Sequence, residues 1–234
     1  MSAFGTQVVP EMALTTFDGQ QWSDPSLVPS NSIALHPGAH VLHYASTCFE
    51  GLKAFTHPDG SRHIFRMDQN IARLAQSSRL LSLPEVDEAM LRKMILDLVI
   101  RYKDEVPAPP GTLYLRPTHI GTEAAIGKAA APSSQSMLYV LASPVGDYFA
   151  GGDATLRILI DEVGMRCAPH MGMVKSGGNY ASALQMLNKA RVEHKADQVL
   201  FCPDGDVQET AAANFMLIEG NELVTKALDS TFLH

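Results

Sequence analysis

Lys175 stands in Gly172-Met173-Val174-Lys175-Ser176-Gly177-Gly178-Asn179-Tyr180, and Glu209 follows 34 residues later in Gln208-Glu209-Thr210-Ala211-Ala212-Ala213-Asn214. A lysine among small residues, with two glycines and a tyrosine after it, suits an amine that attacks a flat carbonyl compound. A free lysine amine, with a pKa near ~10.4, is a poor nucleophile at neutral pH, and burial beside an electropositive group activates it. Once displaced, the same amine can carry a proton. A carboxylate beside three alanines is placed for partial burial, and a buried carboxylate needs a partner. A protonated ring nitrogen is a suitable one. The pair therefore points to Schiff-base chemistry on pyridoxal phosphate, which presents both groups. Taken singly, each residue has a plainer reading: an exposed lysine ahead of a helix, and a strand-edge glutamate in solvent.

Three further places carry chemistry-bearing residues. Arg66, in Ile64-Phe65-Arg66-Met67-Asp68, falls between a strand and a helix, where a guanidinium can bind a phosphate through two bonds. Its plainer reading is a solvated arginine or a partner for Asp68. Tyr114 and Arg116 alternate in Leu113-Tyr114-Leu115-Arg116-Pro117, so both face one side of a strand while the leucines face the other. A phenol beside a guanidinium suits a substrate carboxylate; the alternative is an ordinary solvent face. Tyr44 and Phe49 supply aromatic lining for an apolar pocket, or plain core.

These residues need elements to hold them. Residues 1–35 read as irregular, and residues 41–44 as a strand. Residues 52–56 form a second strand, with a turn at His57-Pro58-Asp59-Gly60 and a return through residues 63–66. Asp68 is placed to cap a helix with Ile71, Leu74, Ser78 and Leu81 at helical spacing. Pro84 starts another helix, with Met90, Leu91, Met94, Leu98 and Tyr102 on one face. Strands follow near 112–118 and 137–142, and residues 143–152 read as a linker. Beyond it the pattern predicts a strand at 155–160, a helix at 180–195, a strand at 198–202, and a hairpin of 215–219 with 222–225. The domains expected are 1–142 and 153–234.

The bulk properties exclude several classes. Net charge is −7 with no block of Lys or Arg, which argues against a nucleic-acid surface. The longest apolar runs, such as residues 137–142, are too short to cross a bilayer. The first residues have neither a basic start nor an apolar signal core, so a cytoplasmic protein is expected. Cys48, Cys167 and Cys202 are scattered and odd in number, which argues against a disulfide framework. His36, His40 and His43 cluster, but a metal centre needs further ligands at suitable spacing, and none is expected.

As a set, these segments resemble the fold-type IV pyridoxal-phosphate enzymes, and most closely the branched-chain amino-acid aminotransferases. The resemblance runs from about Tyr44 onward. It rests on residues 48–55, on Phe65-Arg66-Met67-Asp68-Gln69-Asn70, and on Tyr114-Leu115-Arg116-Pro117-Thr118 with Ile120-Gly121-Thr122-Glu123. Ser143-Pro144-Val145-Gly146-Asp147-Tyr148-Phe149 and the Lys175 and Glu209 segments complete it. It implies an α/β (α+β) fold with a small N-terminal domain, an interdomain loop at 143–152, and a larger cofactor-binding pseudo-barrel.

The resemblance also implies roles. Lys175 is the Schiff-base lysine. Glu209 holds the pyridine nitrogen, with Ala211 and Ala212 beside it on the cofactor. Arg66 is a phosphate ligand, and Tyr180 lies near the cofactor's phenolic oxygen. Tyr114 and Arg116 are substrate-side residues, with Arg116 for the distal carboxylate of glutamate. Tyr44 and Phe49 line the side-chain pocket, Tyr44 from across a homodimer interface. The implied reaction moves the amino group of leucine, isoleucine or valine to 2-oxoglutarate. His170, Met216 and Lys226 depart from the family pattern without touching a proposed chemical group.

The second domain, of about 80 residues, has strands without obvious partners. The family's later phosphate-binding turn is not matched, so the chain is expected to be part of a longer enzyme with little activity by itself. D-amino-acid aminotransferase and aminodeoxychorismate lyase share the fold and the lysine. Tyr114, Arg116 and the Phe49-Glu50-Gly51 run favour the branched-chain enzyme. A non-catalytic fragment that keeps the fold is the rival from another class.

Overall fold

The computed structural model describes residues 5–146 and 155–234. The chain divides into two compact units, Met1–Gly152 and Asp153–His234.

The first unit is built on one antiparallel sheet. Its strands are β1 (Glu11–Phe17), β2 (Ser26–Pro29), β3 (Thr47–Phe49), β4 (Leu52–Thr56), β5 (Arg62–Ile64), β6 (Thr112–Gly121) and β7 (Ser136–Val145). The order is β2-β1-β7-β6-β4-β5, with β3 also paired to β6. Helices α2 (Met67–Leu80) and α3 (Glu88–Arg101) cover one face. Alternation along β6 and β7 decides which side chains go inward. Leu113, Leu115, Leu138, Val140 and Ala142 join Ile71, Leu74, Leu91, Met94, Ile95 and Leu98 in the core. Tyr114 and Arg116 consequently lie on the opposite face, where Arg116 sits across from Leu141.

Several sequence expectations are corrected. The supposedly irregular start holds β1 and β2; β1 is completed by pairing with β7, more than a hundred residues away. Residues 41–44 are not a strand but part of a one-turn helix, α1 (His40–Tyr44). Four residues cannot separate a period of 2 from a single helical turn. The choice is made by buried His40, whose Nδ1 lies 2.8 Å from Ser46 Oγ. Asp68 does not cap α2: the N-cap is Arg66, in the left-handed region at φ 50°, and Asp68 pairs with Arg92. Helix α3 starts after Pro84, where the Asp87 carboxylate accepts from the Ala89 and Met90 amides at 2.8 and 3.1 Å. Residues 143–145 belong to β7 rather than to a linker. Residues 147–152 of the expected loop lie outside the described residues.

In the second unit, β8 (Ile158–Asp161) and β9 (Gln198–Phe201) pair in parallel, joined by the crossover helix α4 (Gly177–His194). Ala183, Ala190, Ala196, Val199, Phe201 and Ala211 form its core. The hairpin of β10 (Met216–Glu219) and β11 (Glu222–Thr225) is exposed along both strands. Among the described residues no helix is long and apolar enough to cross a membrane.

Candidate active site

Lys175 is delivered by the loop that leads into α4. Ser176 is the helix N-cap, and its hydroxyl accepts from the Asn179 amide at 3.4 Å. The buried Asn179 side chain then reaches back, donating to the Met171 and Val174 carbonyls at 2.7 and 2.8 Å. Pinned on both sides, the loop aims the Lys175 amine along α4, where it donates to the Tyr180 hydroxyl at 2.7 Å.

Glu209 is buried, with 2% of its surface exposed. Its Oε1 accepts from Arg166 Nη1 at 2.7 Å and from the Leu233 amide at 3.2 Å. Burial pushes the carboxyl pKa up; Arg166, the Leu233 amide and Lys175 pull it back less strongly. The segment that supplies Leu233 also approaches the lysine loop. Gly172 donates to the Ser230 carbonyl at 3.0 Å, and a Cβ at Gly172 would overlap the Thr231–Phe232 backbone. One stretch of chain thus ties the loop carrying Lys175 to the carboxylate.

Arg166 is not singled out by the sequence reading. It is 1% exposed, donates through Nε to the Ala211 carbonyl at 3.2 Å, and lies over the Tyr180 ring 4.8 Å from its centroid. A signal exists: a buried glutamate requires a buried cation, and Arg166 has apolar neighbours in Met165-Arg166-Cys167-Ala168. In this unit the structure brings together Lys175, Tyr180, Arg166, Glu209 and Ala211. Ala212 follows on the exposed side.

A second cluster forms in the first unit. Tyr114 Oη accepts from Arg116 Nε at 3.1 Å and from Nη2 at 2.7 Å. The Arg116 guanidinium also stacks over the Phe49 ring, 4.5 Å from its centroid. Tyr114 and Arg116 border a cavity of about 290 Å3, with Val8 and Leu141 as apolar wall. Tyr44 packs 4.8 Å from the His40 ring and donates to the Ile126 carbonyl. Arg66 is exposed at the N-terminus of α2. Among the described residues no group of three or more His, Cys, Asp or Glu could hold a metal ion.

Residues 47–234 match the family described as amino-transferase class IV. A branched-chain-amino-acid aminotransferase of Monosiga brevicollis is 39% identical over 91% of this chain and 56% of its own length. Branched-chain-amino-acid transaminase 1 of Bacillus subtilis is 38% identical over 92% of this chain and 62% of its own. The chain therefore spans 56–62% of the length of these relatives. Among solved structures, the branched-chain amino acid aminotransferase of Thermobaculum terrenum in its PLP-bound holo form superposes with a TM-score of 0.73. It is 18% identical, over 94% of this chain and 68% of its own. The Escherichia coli branched-chain enzyme gives 0.76 at 20% identity, over 94% of this chain and 69% of its own. These likenesses establish the α/β fold.

Proposed function

Since the chain belongs to the class IV amino-transferases, we propose that it moves the amino group of leucine, isoleucine or valine to 2-oxoglutarate, with pyridoxal 5'-phosphate as cofactor. The observation that carries this reading is the arrangement of amine, phenol and buried carboxylate around Arg166. Lys175 is held by the Tyr180 phenol. Glu209 receives Arg166 and the Leu233 amide on Oε1, which leaves Oε2 for another donor. The set fits a flat ring with a carbonyl on one side and a protonated nitrogen on the other.

In this reading Lys175 anchors the cofactor, Glu209 holds its ring nitrogen, Tyr180 lies by its phenolic oxygen, and Arg66 binds its phosphate. Ala211 and Ala212 leave room for the ring. The cofactor supplies an electron sink for the charge that develops at the substrate Cα. Lys175 removes the α-proton and later returns one, and the Tyr180 hydroxyl steers the amine between those tasks. Arg166 lowers the Glu209 pKa against its burial, which favours the carboxylate form that can hold a proton on the ring nitrogen.

Substrate selection falls to Tyr44, Phe49, Tyr114 and Arg116. An apolar side chain and a distal carboxylate must share one site. Phe49 and Tyr44 suit the first and Arg116 the second. Tyr44 reaches the site from a second copy, so the working form is a homodimer, placed in the cytoplasm. The relatives named for branched-chain substrates support this choice over D-amino acids. A substrate panel on the cofactor-loaded protein tests it: faster amino transfer from leucine than from D-alanine is expected, and the reverse order overturns the reading.

A further inference from the structure

Glu50 lies between β3 and β4 with 1% of its surface exposed. Its carboxylate has four donors. Arg73 grips it from both ends of a fork, Nε to Oε1 at 2.6 Å and Nη2 to Oε2 at 2.9 Å. Asn70 Nδ2 reaches Oε2 at 2.8 Å, and the Gly51 amide reaches it at 3.2 Å. A buried charge with this many charge-assisted bonds is a rigid anchor. It joins the first two turns of α2 to the peptide Phe49-Glu50-Gly51. A further bond, from the Glu50 amide to the Pro117 carbonyl at 2.9 Å, fixes that peptide to β6.

The two neighbours of Glu50 are what hold Arg116. The Phe49 ring forms the surface on which the guanidinium lies. Gly51 abuts the Tyr114 hydroxyl so closely that a Cβ at this position would overlap it. That same hydroxyl takes two N–H bonds from Arg116. Arg116 is therefore bracketed by residues 49 and 51 through an aromatic face and a phenol. The charge that fixes the bracket is on residue 50, pointing away into α2.

We propose that Glu50 is a positioning residue: held by Arg73 and Asn70, it sets the orientation of the Arg116 guanidinium and so the affinity for the distal carboxylate of the amino acceptor. The carboxylate part of the inference rests on the substrate reading above; the positioning part does not. Glu50→Gln keeps the shape but replaces one acceptor oxygen by a donor facing Arg73. The bracket then loosens, and a dicarboxylate suffers more than an apolar substrate, which does not use Arg116.

The test uses the 15N-labelled protein and the Nε–H signal of Arg116, assigned by its loss in Arg116→Lys. In the unaltered protein the signal is expected to be shifted and slow to exchange, because Nε–H is bonded to Tyr114 and the guanidinium lies on the Phe49 ring. Glu50→Gln is expected to collapse that shift and to weaken 2-oxoglutarate binding, followed on the same signal, about tenfold (about 1.4 kcal/mol). Asn70→Ala, which leaves the ion pair and a good helix former, should move the signal the same way by less and secures the test if Glu50→Gln does not fold. An unchanged Arg116 signal in both variants overturns the proposal. A collapsed shift with no response to 2-oxoglutarate in the unaltered protein keeps the positioning role and overturns the substrate reading instead.

Discussion

The Lys175 amine donates to the Tyr180 hydroxyl at 2.7 Å, across the first turn of the helix that the lysine loop leads into. The ring of Tyr180 at the same time lies beneath the Arg166 guanidinium. The tyrosine therefore has two separable jobs, one for its hydroxyl and one for its face.

Tyr180→Phe removes the first job and keeps the second. A single hydrogen bond contributes about 1 kcal/mol net, so pyridoxal-phosphate affinity should fall roughly five- to tenfold while stability changes by no more than about that amount. Tyr180→Leu removes the ring as well and should lower the urea midpoint further, since Arg166 then loses its aromatic cover. Cofactor titration and urea unfolding of both variants check the separation.

Arg166→Met strands a buried carboxylate, and breaking a buried pair from one side costs about 3–5 kcal/mol. The pH dependence has a definite sign. The Glu209 pKa is already raised in the folded chain, so the folded state holds its proton at pH values where the unfolded chain has lost it. Stability then falls as pH rises between the ordinary carboxylate value and the raised one. Removing Arg166 raises the folded value more, so Arg166→Met should lose less stability at about pH 5 than at about pH 7. Adding Glu209→Gln should flatten that difference; unfolding at the two pH values measures it.

His119 gives the opposite slope. It is fully buried between Ser78 and Ser136, its two ring nitrogens 2.9 Å from their hydroxyls. Burial lowers its pKa to about 4 from 6.5. Its contribution is complete above pH 6.5 and is lost as pH falls toward 4, by on the order of 3 kcal/mol at most. His119→Gln, which can bridge the serines without titrating, should remove most of the acid sensitivity of this unit between those values. An acid titration followed by Trp22 fluorescence reads it, since the Trp22 ring lies 5.6 Å from His119.

Gly172→Ala would drive a Cβ into the Thr231–Phe232 backbone. Overpacking of this kind costs about 1–3 kcal/mol. Because the displaced segment also carries the Leu233 amide to Glu209, cofactor affinity should fall along with stability. Ser230→Ala, which leaves the backbone bond from Gly172 intact, should change neither; parallel titrations distinguish the two.

Legibility in the sequence follows the range of the interactions. Lys175 and Tyr180 are readable because both belong to one local stretch, where small residues and a helix start sit side by side. Tyr114 and Arg116 are readable because alternation on a strand needs no knowledge of its partner. Arg166 is not, because its worth depends on Glu209, a contact across 43 residues. Strand β1 escapes for the same reason: Thr15 and Thr16 read as polar loop until β7 lies beside them. Asp68 misleads because capping depends on the backbone, and Arg66 occupies the left-handed cap instead. The short run at His40–Tyr44 fails for want of length.

The most direct test of the account is where the cofactor attaches. The protein is titrated with pyridoxal phosphate, reduced with borohydride, digested, and the peptides weighed. A pyridoxyl adduct on Lys175, absent in Lys175→Ala, is predicted. A folded chain that forms no adduct at Lys175, or one that forms it equally in Lys175→Ala, would contradict the account.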